Sequence, residues 1–304
     1  MVANQIRARG DYAATGARRR ALSQPIGRIG LYLLILILGA IFFAPFLWTI
    51  TTSLKRTQEL YLFPPVLFPQ RGLAYYNYPL VFERIPFALF FRNTAIITLL
   101  ATLGSVVSTT LVAYGFARRR FPFQGALFLL VLSTMMLPGE VTIIPKFILF
   151  KELGWVDTFW PLIVPDYLAV NAFYIFLMRQ FLLTIPRDFD EAAMVDGASP
   201  VRILWSILLP LIQPAIITVS ILSFLAHWSD FFGPLIYLNS KENLTLSLGL
   251  RYFASSALNF NDNVEPRDHL LMAASLMAAA PAIALFFIAQ RYFVRGIVMT
   301  GLKG

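Results

Sequence analysis

Six apolar stretches, near residues 30–52, 93–117, 125–149, 159–180, 206–228 and 269–290, limit this chain more than any other feature. A bilayer core about 30 Å thick needs roughly 20 apolar residues for each helical crossing, and each run is about that long. Lipid offers no water to unpaired backbone groups, so each run must satisfy its own N–H and C=O groups as a helix. Hydrophobic residues make up 58% of the chain and charged ones 13%, and mean hydropathy is +0.69. An ordinary soluble domain carries about 25% charged residues. The expected fold class is therefore all-α: a polytopic membrane protein with six transmembrane helices. The first run is too long for a cleavable signal and no small-residue cleavage site follows it, so it is expected to stay in the membrane.

The formal charge of +9 has a use in such a chain that does not involve nucleic acid. Lysine and arginine accumulate on the cytoplasmic side of spanning helices. With the N-terminus placed inside, the inner segments hold 15 of the 25 basic residues, among them Arg18, Arg19, Arg20, Arg118, Arg119, Arg120, Arg187, Arg202, Arg291 and Arg295. This bias predicts both termini in the cytoplasm, and only Lys55 and Arg56 stand plainly against it. Residues 1–29 read as a basic cytoplasmic tail, with anionic membrane lipid or simple topological anchoring as its use. Residues 53–92, rich in proline and tyrosine, read as irregular structure at the interface. Residues 229–268 read as a long outer loop, with polar positions including Asn239, Ser240, Asn259, Asn261, Asp262 and Asn263.

Small residues recur every four positions, partly at Gly104 and Ser108 and cleanly at Ala274, Ala278 and Ala282, which lets helix backbones approach closely in lipid. Pro45, Pro138, Pro145, Pro161, Pro165, Pro214 and Pro281 fall in or near the spans and predict kinks, because each removes a backbone donor.

Catalytic chemistry is missing. The chain has no cysteine and only two histidines, His227 and His269, with no HExxH or GxSxG pattern. None of the five lysines, Lys55, Lys146, Lys151, Lys241 and Lys303, follows a glycine as a phosphate-binding loop requires. No catalytic residue, cofactor or metal site is expected, and any nucleotide must be bound by another chain. Glu140, Lys146, Asp166 and His227 are ionisable groups near membrane depth. All four are expected toward the outer ends of the spans, within reach of water.

One polar insert interrupts the apolar pattern: EAAMVDGASPVRILWSILLP, from Glu191 to Pro210. Asp188, Asp190 and Glu191 put negative charge where it favours a helix start. Gly197 can take the left-handed conformation that ends a short helix. Ser199 and Pro200 supply the cap and first turn of the next, which runs through Ile207 toward the fifth span. The expected product is two short helices across the cytoplasmic face, with Ala192 and Ala193 leaving a low surface for a partner's backbone.

Glu191, Ala192 and Ala193, then Gly197, then Ile207, Leu209 and Pro210 match the whole EAA---G---------I-LP signature, and Asp196 lies inside it. On these residues the chain resembles the permeases of ABC importers, most of all the MalG-type subunit of carbohydrate importers. LPGEVTIIP at 137–145, IPRDFDEAAMVDGAS at 185–199 and QRYFVRGIVMTGLKG at 290–304 extend the resemblance from about residue 30 to the end. HWSDF at 227–231 departs from it, since relatives usually carry Asn at the position of Ser229. The resemblance implies an ABC importer permease (MetI-like) fold over 30–304, with a cytoplasmic coupling loop at 186–205. It implies ATPase coupling through Glu191, Ala192, Ala193, Asp196, Gly197, Ile207, Leu209 and Pro210. The implied partners are a second, MalF-like permease, a cytosolic ABC ATPase dimer and an extracytoplasmic sugar-binding protein, in a prokaryotic inner membrane. It further implies that the outer loop reaches toward the binding protein and the C-terminal tail toward the ATPase. A glycerol-phosphate or polyol permease fits the same residues, and a membrane scaffold without transport is the reading from another class.

The cysteine-free background makes topology directly testable. Single thiols at Ser199 and Ser240 should differ in intact cells, with an impermeant reagent labelling Ser240→Cys and sparing Ser199→Cys. The opposite pattern inverts the orientation.

Overall fold

The computed structural model describes residues 30–257 and 267–301. The expectations for the tail at 1–29, for Asn259 to Asn263 and for the last three residues lie outside the described residues, as does the side chain of Glu140.

The described residues form helices and turns and contain no strand. Four helices are long and apolar enough to cross a membrane: 30–53, 87–118, 160–184 and 268–290, with a fifth if the bent pair 200–211 and 213–228 is one crossing. The expected count of six is thus not reached by continuous helices. The missing one is the third span, 125–149. It is split into Gln124–Ser133 and Ile143–Glu152 by 3-10 turns on either side of Leu137 and Pro138. Pro138 lacks an N–H, and Ser133, Thr134 and Thr142 turn their hydroxyls onto the carbonyls of Leu130, Val131 and Gly139.

The chain divides into two compact units, residues 1–75 and 76–304. In the first, helix α1 (residues 30–53) leaves nearly all its large apolar side chains exposed, as a lipid-facing helix must. Its C-terminal end leads into a buried polar knot. Glu59 is 1% exposed and accepts the backbone N–H groups of Arg56, Gln70 and Arg71 at 3.1, 2.7 and 2.7 Å. Burial pushes that carboxyl up, but the three backbone donors outweigh it and hold it below its ordinary value. Lys55 donates to the Val66 carbonyl at 2.6 Å and lies 4.3 Å from the Trp48 ring centroid. This accounts for a lysine that the charge bias left unexplained: it serves packing here, not topology.

The second unit begins with α2 (Asn77–Arg84) and the long α3 (Phe87–Arg118), which starts six residues before its expected limit of 93. Then follow α4 (Gln124–Ser133), α5 (Ile143–Glu152), α6 (Trp160–Ile163), α7 (Ala172–Thr184) and α8 (Asp188–Val195). The remainder are α9 (Pro200–Ile203), α10 (Leu209–Leu211), α11 (Gln213–Trp228), α12 (Phe232–Tyr237), α13 (Leu246–Ala257) and α14 (Asp268–Gly301). Helix α3 is the central post, packed against α7 and α11. At two of the small-residue positions an aromatic ring closes on the helix. A Cβ on Gly104 would meet the Tyr167 ring at 2.5 Å, and the Ala278 carbonyl accepts the Trp228 indole N–H at 2.9 Å. The described part of the expected outer loop, 230–257, is largely helical and buries Leu244, Leu246, Leu248 and Phe253 in a core shared with Phe87, Phe90 and Leu270. Ser229 donates its hydroxyl to the Leu225 carbonyl at 2.6 Å.

Asp166 lies six residues from the start of the 160–184 span. It sits in a 3-10 turn between α6 and α7, and its carboxylate accepts the Ser105 hydroxyl at 2.5 Å. At ~1.5 Å per residue, Ser105 is about 20 Å from the Arg118 end of α3 and about 27 Å from the Phe87 end.

Asp157, with φ +61, anchors the turn after α12. It accepts the backbone N–H groups of Asn239 and Ser240 at 2.9 Å each, takes the Ser240 hydroxyl as well, and offers its own carbonyl to Asn243 at 2.6 Å. Burial pushes this carboxyl up, but the donors prevail and lower it to about 2. Asp157→Ala should cost about 1 kcal/mol, a value reduced by the site's exposure to solvent, and should raise proteolysis at 238–245 several-fold. Because the folded value is depressed, the contribution is complete above the ordinary aspartate pKa of ~3.9 and disappears as pH falls toward about 2. Limited proteolysis across that range checks both.

Candidate functional site

The local rules in the Glu191–Pro210 insert produce the predicted backbone. Helix α8 carries Asp188, Asp190 and Glu191 in its first turn. Gly197, at φ +78, ends it: its N–H donates to the Met194 carbonyl at 3.0 Å, and that of Ala198 to the Ala193 carbonyl at 2.9 Å. These are the paired reverse bonds of a glycine-terminated helix. Open space surrounds a Cβ built on Gly197, so only the backbone conformation asks for glycine. The Ser199 hydroxyl accepts the Arg202 N–H at 3.3 Å, with Pro200 in the first turn of α9.

The chain then passes through a π-helical turn at Leu204–Leu208 and α10, and at Ile212 turns by 79° into α11. Pro210 and Pro214 flank the bend and can donate no backbone hydrogen bond across it. Inward of this path, Ile203, Leu204, Leu208 and Ile212 pack with Ala113 and Ala117 of α3 and Met178 and Leu182 of α7.

On the outward side lies an open groove of about 630 Å³ lined by Pro186, Asp188, Phe189, Ala192, Ala193, Asp196 and Ile207. Phe189 is 48% exposed, while Asp188 and Asp196 give the groove a negative rim. The two alanines differ. Ala192 is exposed at the groove, whereas Ala193 is 7% exposed and packs into the core behind it. Of the remaining predicted positions, Glu191 is exposed and lines a separate cleft of about 90 Å³ with Tyr114, Arg118, Arg119 and Arg187. Gly197 and Pro210 shape the backbone, and Leu209 packs partly against the core. A groove with an apolar floor and acidic rim suits a partner that inserts apolar side chains flanked by basic ones.

Sequence reasoning missed what holds the groove in place. Asp190 is buried on the face it shares with Ala193, and Arg118 Nε lies 3.5 Å from its Oδ2, with side chains 11% and 4% exposed. This is an ion contact without hydrogen-bond geometry. Arg118 also donates to the Ile185 carbonyl at 3.0 Å, and the Tyr114 hydroxyl donates to the Pro200 carbonyl at 3.1 Å. The last carbonyls of α3 take arginines in turn: Arg179 donates to Phe116 at 3.4 Å and Arg187 to Ala117 at 3.5 Å. Arg118 had been counted only toward the charge bias. The available signal was a carboxylate at Asp190 spaced three residues from Ala193, on the stripe facing inward.

A family model described as the binding-protein-dependent transport system inner membrane component matches residues 101–299. The arabinooligosaccharides transport system permease protein AraQ of Bacillus subtilis is 32% identical over 280 residues, covering 91% of this chain and 96% of that protein. The sn-glycerol-3-phosphate transport system permease protein UgpE of Rhizobium meliloti is 33% identical over 295 residues, covering 93% and 98%. A chain in the crystal structure of a bacterial ABC transporter that imports the acidic polysaccharide alginate superposes with a TM-score of 0.79 at 24% identity, covering 89% of this chain and 98% of that one. The chain belongs to the family of binding-protein-dependent transport system inner membrane components. It is a multi-pass permease subunit of an ABC importer, and the ATPase of such a system is a separate subunit.

The Arg118–Asp190 contact yields a measurable expectation. Arg118→Met leaves a buried carboxylate unpaired and should destabilise the fold by about 3 kcal/mol. Arg118→Met with Asp190→Leu should recover most of that loss, because the charge has gone with its partner. Thermal unfolding in detergent, run as a double-mutant cycle, checks it, and additive losses would deny the coupling.

Proposed function

We propose that this chain is one of two permease subunits of a carbohydrate importer, pairing with a MalF-like permease. In this reading a cytosolic ATPase dimer docks in the grooves of both permeases, and an extracytoplasmic sugar-binding protein delivers the cargo. Both termini and residues 186–205 then lie in the cytoplasm, and residues 229–268 outside. The observation that carries the docking role is the acidic-rimmed groove at Ala192, whose outline depends on the Gly197 turn and whose back rests on α3 and α7. Glu191, Ala192, Asp196 and Ile207 face or border the docked partner, while Ala193, Gly197, Leu209 and Pro210 hold the segment in shape.

The names of relatives support a carbohydrate cargo: beside the arabinooligosaccharide permease stands a melibiose/raffinose/stachyose import permease of Bacillus subtilis, 31% identical over 277 residues. The glycerol-phosphate reading has its own support in the 33% identity to UgpE.

Ala192→Asp places bulk and charge in the groove without entering the core. Gly197→Val forces a branched residue to φ +78, at a cost of order 1–2 kcal/mol or a re-aimed helix. Each variant should insert and assemble with the second permease, retain less ATPase on co-purification, and lower uptake at least ~10-fold, equivalent to ~1.4 kcal/mol of coupling. Normal uptake with normal ATPase retention in both would mean that the groove is only a surface feature. The chain purified alone should neither hydrolyse ATP nor move sugar into vesicles.

A further inference from the structure

The contact between Asp166 and His227 is not used by the docking groove. A cavity of about 410 Å³, within the ~300–1,000 Å³ of small-molecule sites, is lined by Thr134, Asp166, Asn171, Phe173, Tyr174 and His227 among others. His227 Nε2 lies 3.3 Å from Asp166 Oδ1, with side chains 21% and 14% exposed. The helix carrying Asp166 is broken there. A 3-10 turn at Val164–Leu168 and Ala169 at φ +53 separate α6 from α7, which restarts with Asn171 capping the Tyr174 N–H at 3.2 Å. Ser108 takes up the Asp166 carbonyl at 2.7 Å. An unwound segment beside ionisable side chains within a span is tolerated where it lines a wet cavity and not where it meets lipid.

We propose that Asp166 and His227 form a hydroxyl-binding subsite for a neutral carbohydrate in the translocation pathway, with the half-exposed Phe173 ring as the surface on which a sugar face packs. This rests on the carbohydrate reading above and deepens it by assigning cargo charge and contacts. Asp166 Oδ1 is occupied by Ser105, while Oδ2 has no hydrogen-bond partner among the described residues, so it can accept a cargo hydroxyl. The imidazole beside it can donate to or accept from a second hydroxyl. No lysine or arginine lines the cavity, so no permanent cation stands there to pair with a phosphate or uronate beside this carboxylate. The same donors and acceptors suit an uncharged polyol chain, which is why the cargo class follows from charge as much as from shape.

The test uses the complete transporter, with its binding protein, in proteoliposomes, and measures raffinose, arabinotriose and sn-glycerol 3-phosphate moved per ATP hydrolysed. Asp166→Asn keeps the acceptor for Ser105, and His227→Phe keeps ring bulk. Both should lower the sugar moved per ATP about 10-fold, as expected when a site built for hydroxyls loses a partner, while hydrolysis and subunit retention stay within about two-fold. An unchanged ratio in both variants overturns the subsite. So does a loss of hydrolysis and assembly in step with uptake, which would make the pair a structural bolt. A wild-type complex that moves sn-glycerol 3-phosphate and neither sugar instead overturns the carbohydrate reading itself, and that result is visible before any variant is made.

Discussion

A backbone surrounded by lipid must satisfy its own polar groups, and the breaks within the described spans follow that demand. The break at Leu137–Pro138 is bridged by neighbouring hydroxyls. The break at 164–171 is taken over by Ser105 and Ser108 of α3 and by the cap on α7. The bend at Ile212 falls between two prolines that have no N–H to lose, with Ile212 and Ala215 still donating to Leu208 and Ile212 at 2.9 Å. Helix α3 supplies partners to the second of these interruptions and packs against α7 and α11, so its uninterrupted length is what the other elements depend on.

The same helix sets the position of the groove. Its last turn holds Asp190 through Arg118 and reaches Pro200 through Tyr114, while Ala113 and Ala117 admit Leu204 and Leu208. Small residues on the post and large ones on the incoming segment allow close approach, and the ion contact fixes the register that apolar packing alone would leave loose. The groove and the end of α3 are thus held in one packed unit. Through Ser105 and Ser108 the post also touches Asp166, so one continuous helix runs from the groove to the cavity beside Asp166.

Each part that was legible in the sequence rests on short-range rules. Length and apolarity identify a helical membrane protein without reference to any neighbour. Gly197, Ser199 and Pro200 specify the turn between α8 and α9 because caps and left-handed glycines act within a few residues. The span count was less legible, since a proline such as Pro138 marks a possible break and only the surrounding hydroxyls determine whether the helix stops.

From the sequence alone come the all-α membrane class, the local shape of the Glu191–Pro210 insert and the absence of a nucleotide loop, all properties of contiguous residues. Only the tertiary structure separates Ala193, in the core, from Ala192, at the groove. It alone turns Arg118 from one more basic residue into the partner of Asp190, and brings Asp166 against Ser105 of α3 and His227 of α11. Those outcomes depend on which residues meet across 61 to 72 positions of chain, and such pairing is set by how helices pack, information that no local pattern carries.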